Sequence, residues 1–405
     1  MAGPLDPVLY TTISNYKYGA ENDVITNNPF LAAWKQKTNL KEKQGGTNIT
    51  WPIEAARYVA FGSAPGDDMS ARFVPSVRHQ LPTLNWADNR VATSIDFGAL
   101  RRNYGDQALV KLSDTEAKAL WRDALTNGST SLNGLILNSN ISTSTNPLPF
   151  AGLPSFLLAP GATGLQGYNR ATNTVSGGAP ADTDQEVVPT STSQTYAGLN
   201  LYRSGITAVD NPVADAWTPN LVNTSFTGWT GTNDDEANAV PFYTQYAVQL
   251  ASRFDGSRQD YLPDFGVMDY NSFYNLGARL TKINAGFTVF ANVGQEASNK
   301  FGTGFKCNNM LYHAGLLWFW DAAMPTETTY VINASQSGLM CQPTFNTMGD
   351  DELPIDTSAG GIENVELIEM HFSYNPLNQS IMIAGNMNNQ ATFSPRFQVR
   401  CSNYS

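Results

Sequence analysis

The chain has 405 residues, with 24 Lys+Arg against 35 Asp+Glu, a net charge of −11, and only 15% charged residues, where about 25% is usual. Asn, Thr, Ser and Gly fill the gap, which suits a surface covered by neighbouring copies, a secreted β-protein, or an uncharged polar surface of no special significance. The acidity is concentrated: residues 1–122 hold 14 Lys+Arg and 12 Asp+Glu, whereas 123–405 hold 10 and 23. That balance excludes a basic nucleic-acid-binding face.

Residues 1–44 read as an irregular, extended N-terminal arm. Pro4, Pro7 and Pro29 interrupt it, and Lys35, Lys37, Lys41 and Lys43 form a basic patch suited to an acidic neighbour or scaffold, or to solvent. Met1–Lys17 has no basic segment followed by an apolar run, so no signal peptide is expected.

From Gly45-Gly46 the sequence alternates with period two. Thr47, Ile49, Trp51 and Ile53 run out to a turn-rich tip at Gly62–Asp68. Leu81, Leu84, Trp86, Val91, Thr93, Ile95 and Phe97 return. This pattern predicts a long two-stranded hairpin. At roughly 3.3 Å per residue, limbs of about 15 to 20 residues reach on the order of 50 to 65 Å. A ribbon that long is marginal in water, so a neighbouring subunit is expected to cover it. The expected contact residues are Trp51, Ile53, Arg57, Asp67, Asp68, Arg72, Arg78, Leu84 and Trp86.

A helix is predicted from Leu109 to Ala124. Leu109, Leu112, Ala117, Leu120, Trp121 and Ala124 share one face, Lys111, Lys118 and Arg122 the other, and Asp106 offers a cap. Asn127-Gly128 should stop or kink it, with Leu132–Leu137 as a continuation. Residues 138–235 carry mostly loop signals, and 160–195 read as an insertion. A second helix starts at Asp234-Asp235-Glu236, with Pro241 early and Phe242, Tyr243, Tyr246, Ala247, Leu250 and Phe254 as its apolar face. Tyr261–Met268 contains a short strand, and Asp269 caps a helix through Phe273, Leu276 and Leu280. Strands are expected at Phe287–Ala291, Met310–Trp320, Thr328–Asn333, Val365–Tyr374, Ser380–Ala384 and Arg396–Cys401. The mixture is α+β.

Catalytic signals are sparse. There is no phosphate loop and no nucleophile elbow. Gly302-Thr303-Gly304 lacks the third glycine of a dinucleotide fingerprint. His79, His313 and His371 are the only histidines, and His313, in an apolar strand, reads as a hydrogen-bonded structural residue. Asp182–Glu186 lacks the glycine of a calcium loop. Cys307, Cys341 and Cys401 are too widely spaced for a zinc ribbon and read as buried free thiols. No cofactor or metal is expected. Asp350-Asp351-Glu352 could hold a cation or form a carboxylate pair, though a solvated loop is the plainer reading. Trp318-Phe319-Trp320 reads as core rather than a sugar platform.

The order of parts resembles the major capsid proteins of tailed bacteriophages, with the Hong Kong 97-type fold. The local likenesses are Asn28-Pro29-Phe30-Leu31, then Gly45–Ile53 (GGTNITWPI), and the helix after Asn103-Tyr104-Gly105-Asp106. Gly152-Leu153, Thr195–Arg203 (TYAGLNLYR) and Leu262-Pro263-Asp264 complete them. The resemblance implies an arm at 1–44, an E-loop hairpin at 45–96 and a P-domain with spine helix and loop-rich insertion at 97–205. An A-domain at 206–359 and C-terminal strands returning to the P-domain at 360–405 follow. It implies a structural, non-enzymatic protein that self-assembles as pentamers and hexamers into an icosahedral shell around packaged double-stranded DNA. It is expected in the virion, and in host cytoplasm during assembly.

The partners implied are a portal protein at one vertex and a separate scaffolding protein during assembly, with room for a cement or decoration protein, non-specific proximity to the packaged double-stranded DNA, and no membrane. Only about 100 residues precede the spine helix, so no fused scaffolding domain and no removal of one are expected. The hairpin lacks the lysine used by cross-linked relatives. Two other readings are an extracellular β-rich adhesin or glycan-binding protein, which needs an export signal, and a carboxylate-dependent hydrolase using Asp350 and Glu352, which needs a deep pocket.

Overall fold

The computed structural model describes residues 28–37, 39–42, 47–54, 79–96, 116, 118–126, 128, 130–140, 150–158, 164–169, 174–175, 186–190, 193–201, 217–224, 236–252, 262–283, 310–341, 369–375, 380–394 and 397–402. The chain opens with helix α1 (Pro29–Lys37). Asn28 caps it, its Oδ1 accepting from the Leu31 N–H at 3.0 Å. Pro29 holds the first helical position, where its missing N–H is harmless. Lys35 and Lys37 lie in the last turn, favourable to the helix dipole. The arm is thus not irregular here. Phe30, Leu31, Ala32, Ala33 and Trp34 are all buried, so a helix enclosed on several sides shows no amphipathic period for a sequence reading to find. Strand β1 (Asn39–Glu42) follows.

The hairpin limbs are β2 (Asn48–Thr50) and β3 (Ile53–Glu54) outward, β4 (His79–Gln80) and β5 (Thr83–Asn85) inward. Thr50 pairs with Thr83, and Ile53 with Gln80. The return limb leaves this ribbon earlier than the alternation suggested. Strand β6 (Ala87–Asp96) pairs instead with a distant C-terminal strand. Period-two patterning fixes which face is buried but not which strand lies alongside.

Residues 118–126 form helix α2, with Leu120, Trp121, Ala124 and Leu125 buried. The expected start at Leu109, and the Asp106 cap, lie outside the described residues. The expected stop is present: Gly128 has φ +81°. A new helix, α3 (Leu132–Asn138), begins behind Ser131, whose Oγ accepts from Gly134 N–H.

The segment expected to be mostly loop supplies β7 (Leu165–Asn169), β8 (Thr174–Val175), β9 (Glu186–Pro189), β10 (Thr195–Tyr196), β11 (Leu199–Asn200) and β12 (Asn220–Asn223). β9 and β12 are buried at every position, so they lack alternation, and their polar ends resemble loop. Helix α4 (Glu236–Ser252) carries Pro241 in its first half as expected. Tyr243, Ala247 and Leu250 are buried, but Phe242 points to solvent. Strand β13 (Phe265–Met268) leads into helix α5 (Tyr270–Ile283), capped by Asp269, whose Oδ2 accepts from Asn271 N–H at 3.2 Å.

The predicted strand 310–320 is two strands, β14 (Met310–His313) and β15 (Leu316–Trp320). Ala314 and Gly315, at φ 53° and 81°, form the turn between them, as a two-residue hairpin loop demands. The rest are β16 (Thr328–Ile332), β17 (Ser337–Cys341), β18 (Glu369–Asn375), β19 (Ser380–Phe393) and β20 (Val399–Ser402). The strand expected at 287–291 lies outside the described residues.

Two large sheets organise most of these strands, and β2–β5, β3–β4 and β10–β11 form separate two-stranded pairs. The larger has nine strands, in the order β14-β15-β13-β16-β20-β12-β9-β7-β8. The other is built on β19, which takes β6 along 380–389, β18 along 380–386 and β17 along 389–393, with β1 parallel to β17. The nine-stranded sheet is covered on both faces. Phe265, Val267, Leu317, Phe319, Tyr330 and Ile332 join the core that contains α1 and α3. Met268, Leu316, Trp318, Val331, Val399 and Cys401 join Tyr243, Ala247, Leu250 and Leu276 of α4 and α5. Gly266 is required between them: a Cβ there would meet the Trp318 ring.

Candidate assembly interface

The hairpin root is fixed to its own subunit. Ile49 and Leu84 are buried, worth about 1.5–3 kcal/mol each. The Thr83 N–H donates to Ala197 O at 2.8 Å. Ala197 and Gly198, φ 52° and 78°, form the tight turn joining β10 to β11. This gives the expected likeness at 195–203 a structural role: its turn receives the hairpin.

From the root a row of aromatic contacts runs through the molecule. Trp51 lies 6.3 Å from Trp217, Trp217 5.6 Å from Tyr196, and Tyr196 5.1 Å from Phe156. Phe156 lies 5.2 Å from Phe393, Phe393 6.4 Å from Trp34, and Trp34 6.4 Å from Phe30. Phe30 meets Phe265 at 6.1 Å, and Phe265 meets Phe319 at 5.6 Å. The Tyr196 hydroxyl accepts from Phe393 N–H at 3.2 Å. Burial pushes its pKa up, with that hydrogen bond opposing. Trp217 Nε1 donates to Tyr196 O.

Buried polar groups tie the nine-stranded sheet to the same core. Asp321 accepts from the side chains of Asn28 at 3.2 Å and Asn133 at 2.9 Å, and from Ala323 N–H at 2.8 Å. Asp264 Oδ2 accepts from Ala334 N–H at 2.9 Å. Arg400, 2% exposed, donates from Nη1 to Leu157 O at 2.8 Å and lies over the Tyr330 ring.

The predicted contact residues divide three ways. Leu84, 4% exposed, packs into the core of its own chain. Trp51 and Ile53 are partly buried against that same core, and Trp86 is half-buried. Lys35 and Lys37 are half-buried on α1, and the Lys41 backbone lies in β1. Arg57, Asp67, Asp68, Arg72, Arg78 and Lys43 lie outside the described residues. The sequence reading missed the large apolar groups that do face solvent: Leu81 at 63%, Tyr274 at 64%, Tyr270 and Phe242. Amphipathic counting assigns such residues inward; only the packed helix shows which face is free. Arg90 and Asp88 pair at 2.9 Å on exposed β6 positions, worth little when solvated.

His313 Nε2 meets Pro241 O at 3.1 Å, the structural role expected. Trp318 and Phe319 are core, as expected. Cys341 and Cys401 are buried free thiols; Cys307, Asp350 and Glu352 lie outside the described residues. Among the described residues, no group of three His, Cys, Asp or Glu is placed to hold a metal, and no helix is long and apolar enough to cross a membrane.

No protein-family model matches the chain, and no curated protein matches its sequence. Solved structures do. The capsid asymmetric unit of cyanophage A-1(L) is similar over 94% of this chain and 94% of that one, with a TM-score of 0.54 and 12% identity. The capsid of a native GTA particle aligns over 92% and 90%, with TM-score 0.46 and 9% identity. The capsid of cyanophage P-SCSP1u aligns over 90% and 86%, with 0.41 and 12%. The first likeness carries the assignment: the chain has the fold of a tailed-phage capsid protein, the Hong Kong 97 type that its order of parts resembles.

Proposed function

We propose that the chain is the major capsid protein of a phage-like particle. Copies associate as pentamers and hexamers and close into an icosahedral shell around packaged double-stranded DNA. The role is structural, not enzymatic. The observation that carries the reading is the likeness to a phage capsid subunit along 94% of both chains. The hairpin supports it. Among the described residues, β3 and β4 pair only with each other, and so short a ribbon needs a further surface. Repetition of such contacts around closed rings multiplies modest individual energies.

In this reading 45–96 is the E-loop, the helix containing 118–126 the P-domain spine, 206–359 the A-domain, and 360–405 the returning C-terminal strands. Arg57, Arg72, Arg78, Asp67 and Asp68 meet the adjacent subunit, as do Lys35, Lys37, Lys41 and Lys43 of the arm. A separate scaffolding protein guides assembly, and a portal protein occupies one vertex. The net charge of −11 suits a container, because a basic lining would retain phosphate. The test is deletion of 61–72. The expected result is a soluble subunit with unchanged circular dichroism that forms no shells; normal shells would refute the hairpin's role.

A further inference from the structure

We propose that the nine-stranded sheet holds a small inorganic anion of the halide class, bound by Arg400 and the hydroxyl of Tyr330 on neighbouring strands. The two residues face each other across β20 and β16. Arg400 also faces Leu221 of β12, which in turn faces Val187 of β9. Tyr330, Leu221 and Val187 belong to the core that contains α1 and α3, so the guanidinium lies on that side of the sheet. It is 2% exposed, and Tyr330 is fully buried.

Arginine presents five N–H donors and keeps its charge inside proteins. Arg400 makes one hydrogen bond among the described residues, from Nη1 to Leu157 O at 2.8 Å, and its Nε has no acceptor. The guanidinium carbon lies 5.6 Å from the centre of the Tyr330 ring. That contact favours the cation but gives Nε no lone pair to bond. The Tyr330 hydroxyl is also buried without a partner, and so is the Ser402 hydroxyl, two residues along β20 on the same face. The strand is not generally short of partners. Gln398, two residues before Arg400 and equally buried, bonds the Asn333 N–H, the Asn333 carbonyl and Ser337 Oγ. The unmatched donors are concentrated around one buried positive charge.

No buried carboxylate supplies the counter-charge. Among the described residues these are Glu186, Asp269 and Asp321. Glu186 sits in the row of Val222 and Cys401, on the opposite side of the sheet, toward α4 and α5. Asp269 caps α5. Asp321 binds Asn28 and Asn133 beyond the end of β15, three strands from β20 and so about 14 Å away at the usual strand spacing. Nor does Tyr330 serve as the anion. Burial raises its pKa above the usual 10, against the opposing effect of Arg400, so the hydroxyl keeps its proton and donates. A buried charge without a partner is costly. A single-atom anion neutralises it and accepts from several N–H and O–H groups at once, whereas enclosure disfavours large or strongly hydrated anions. Bound there, the ion ties β20 to β16 and, through the guanidinium, to the turn at Leu157. The site acts within one subunit and is independent of shell formation.

The test uses the full-length subunit, unfolded and then refolded into chloride-free gluconate buffer, because unfolding releases a bound ion. Urea unfolding is followed by tryptophan fluorescence at constant ionic strength while chloride replaces gluconate. A ligand that binds only the folded chain raises the folding equilibrium constant in proportion to its concentration above Kd, so between about 1 mM and about 0.5 M chloride the constant should rise about tenfold or more. In Arg400→Met, which keeps an apolar stem and removes the charge, the rise should vanish. In Tyr330→Phe, which removes one donor, the same rise should need about threefold more chloride. Indistinguishable unfolding of the native chain in chloride and gluconate overturns the site. So does a chloride response that survives unchanged in Arg400→Met or, where that variant fails to fold, in Tyr330→Phe.

Discussion

Gly152 sits where the chain turns against the end of α3. A Cβ at this position would land on the Leu135 carbonyl oxygen, and 2.8 Å from those of both Ile136 and Ser139. All three are backbone atoms, so no rotamer change relieves the clash. Overpacking of this kind costs about 1–3 kcal/mol and occasionally more. With three main-chain oxygens involved, Gly152→Ala should lie at the upper end, about 3 kcal/mol, which is more than a hundredfold in the folding equilibrium and a large share of a stability of about 5–15 kcal/mol. The displacement would also reach Phe156 in the aromatic row and Leu157, whose carbonyl receives Arg400. Gly277 is the control. It lies inside α5, where a Cβ meets only the Leu311 side chain at 3.4 Å. Alanine there should stabilise by about 0.5–1 kcal/mol through helix propensity. Urea unfolding of the subunit, followed by tryptophan fluorescence, compares the two at constant m. Equal effects of the two alanines would refute the packing argument.

Tyr196→Phe should destabilise by about 1–2 kcal/mol in the same assay, because it leaves the buried Phe393 N–H without its acceptor; no change would remove that bond from the account. His313 gives a pH signature. Burial lowers its pKa below the usual 6.5, with the Pro241 carbonyl opposing, so the unfolded chain binds a proton that the folded chain does not. Stability should therefore fall as pH drops below about 6.5 and level off below the folded pKa, and His313→Gln should remove that component; an identical pH profile in the variant would contradict it. Mature particles should run on a boiled, reduced denaturing gel as one band near the 44.0 kDa chain mass, because the residues between Lys43 and Lys111 include no lysine and arginine stays protonated. Multimer ladders surviving reduction would refute this.

Much of the fold was legible where local chemistry is self-sufficient. Asp269 before α5, Pro241 early in α4 and Gly128 after α2 act on their own neighbours in sequence, and each does what its residue type dictates. The hairpin root was legible from alternation. The missed elements share one physical cause, burial on more than one face. Helix α1 packs five consecutive apolar residues inward, and β9 and β12 are enclosed at every position, so no period betrays them. The β14–β15 turn hid inside an apolar run because Ala314, not a usual turn residue, takes a positive φ beside Gly315. The hairpin's anchorage needed long-range partners: Thr83 with Ala197, and Trp51 with Trp217. No local pattern encodes those. The inward placement of Leu84 and the outward placement of Tyr270 and Tyr274 likewise follow from which surfaces meet.

The most direct measurement of the central claim is cryo-electron microscopy of the native particle that contains this chain. The account predicts an icosahedral shell in which this fold occupies every capsomer position, with residues 55–78 lying on an adjacent copy. A chain found as a free monomer, a fibre or a surface appendage, with no closed shell, would contradict it.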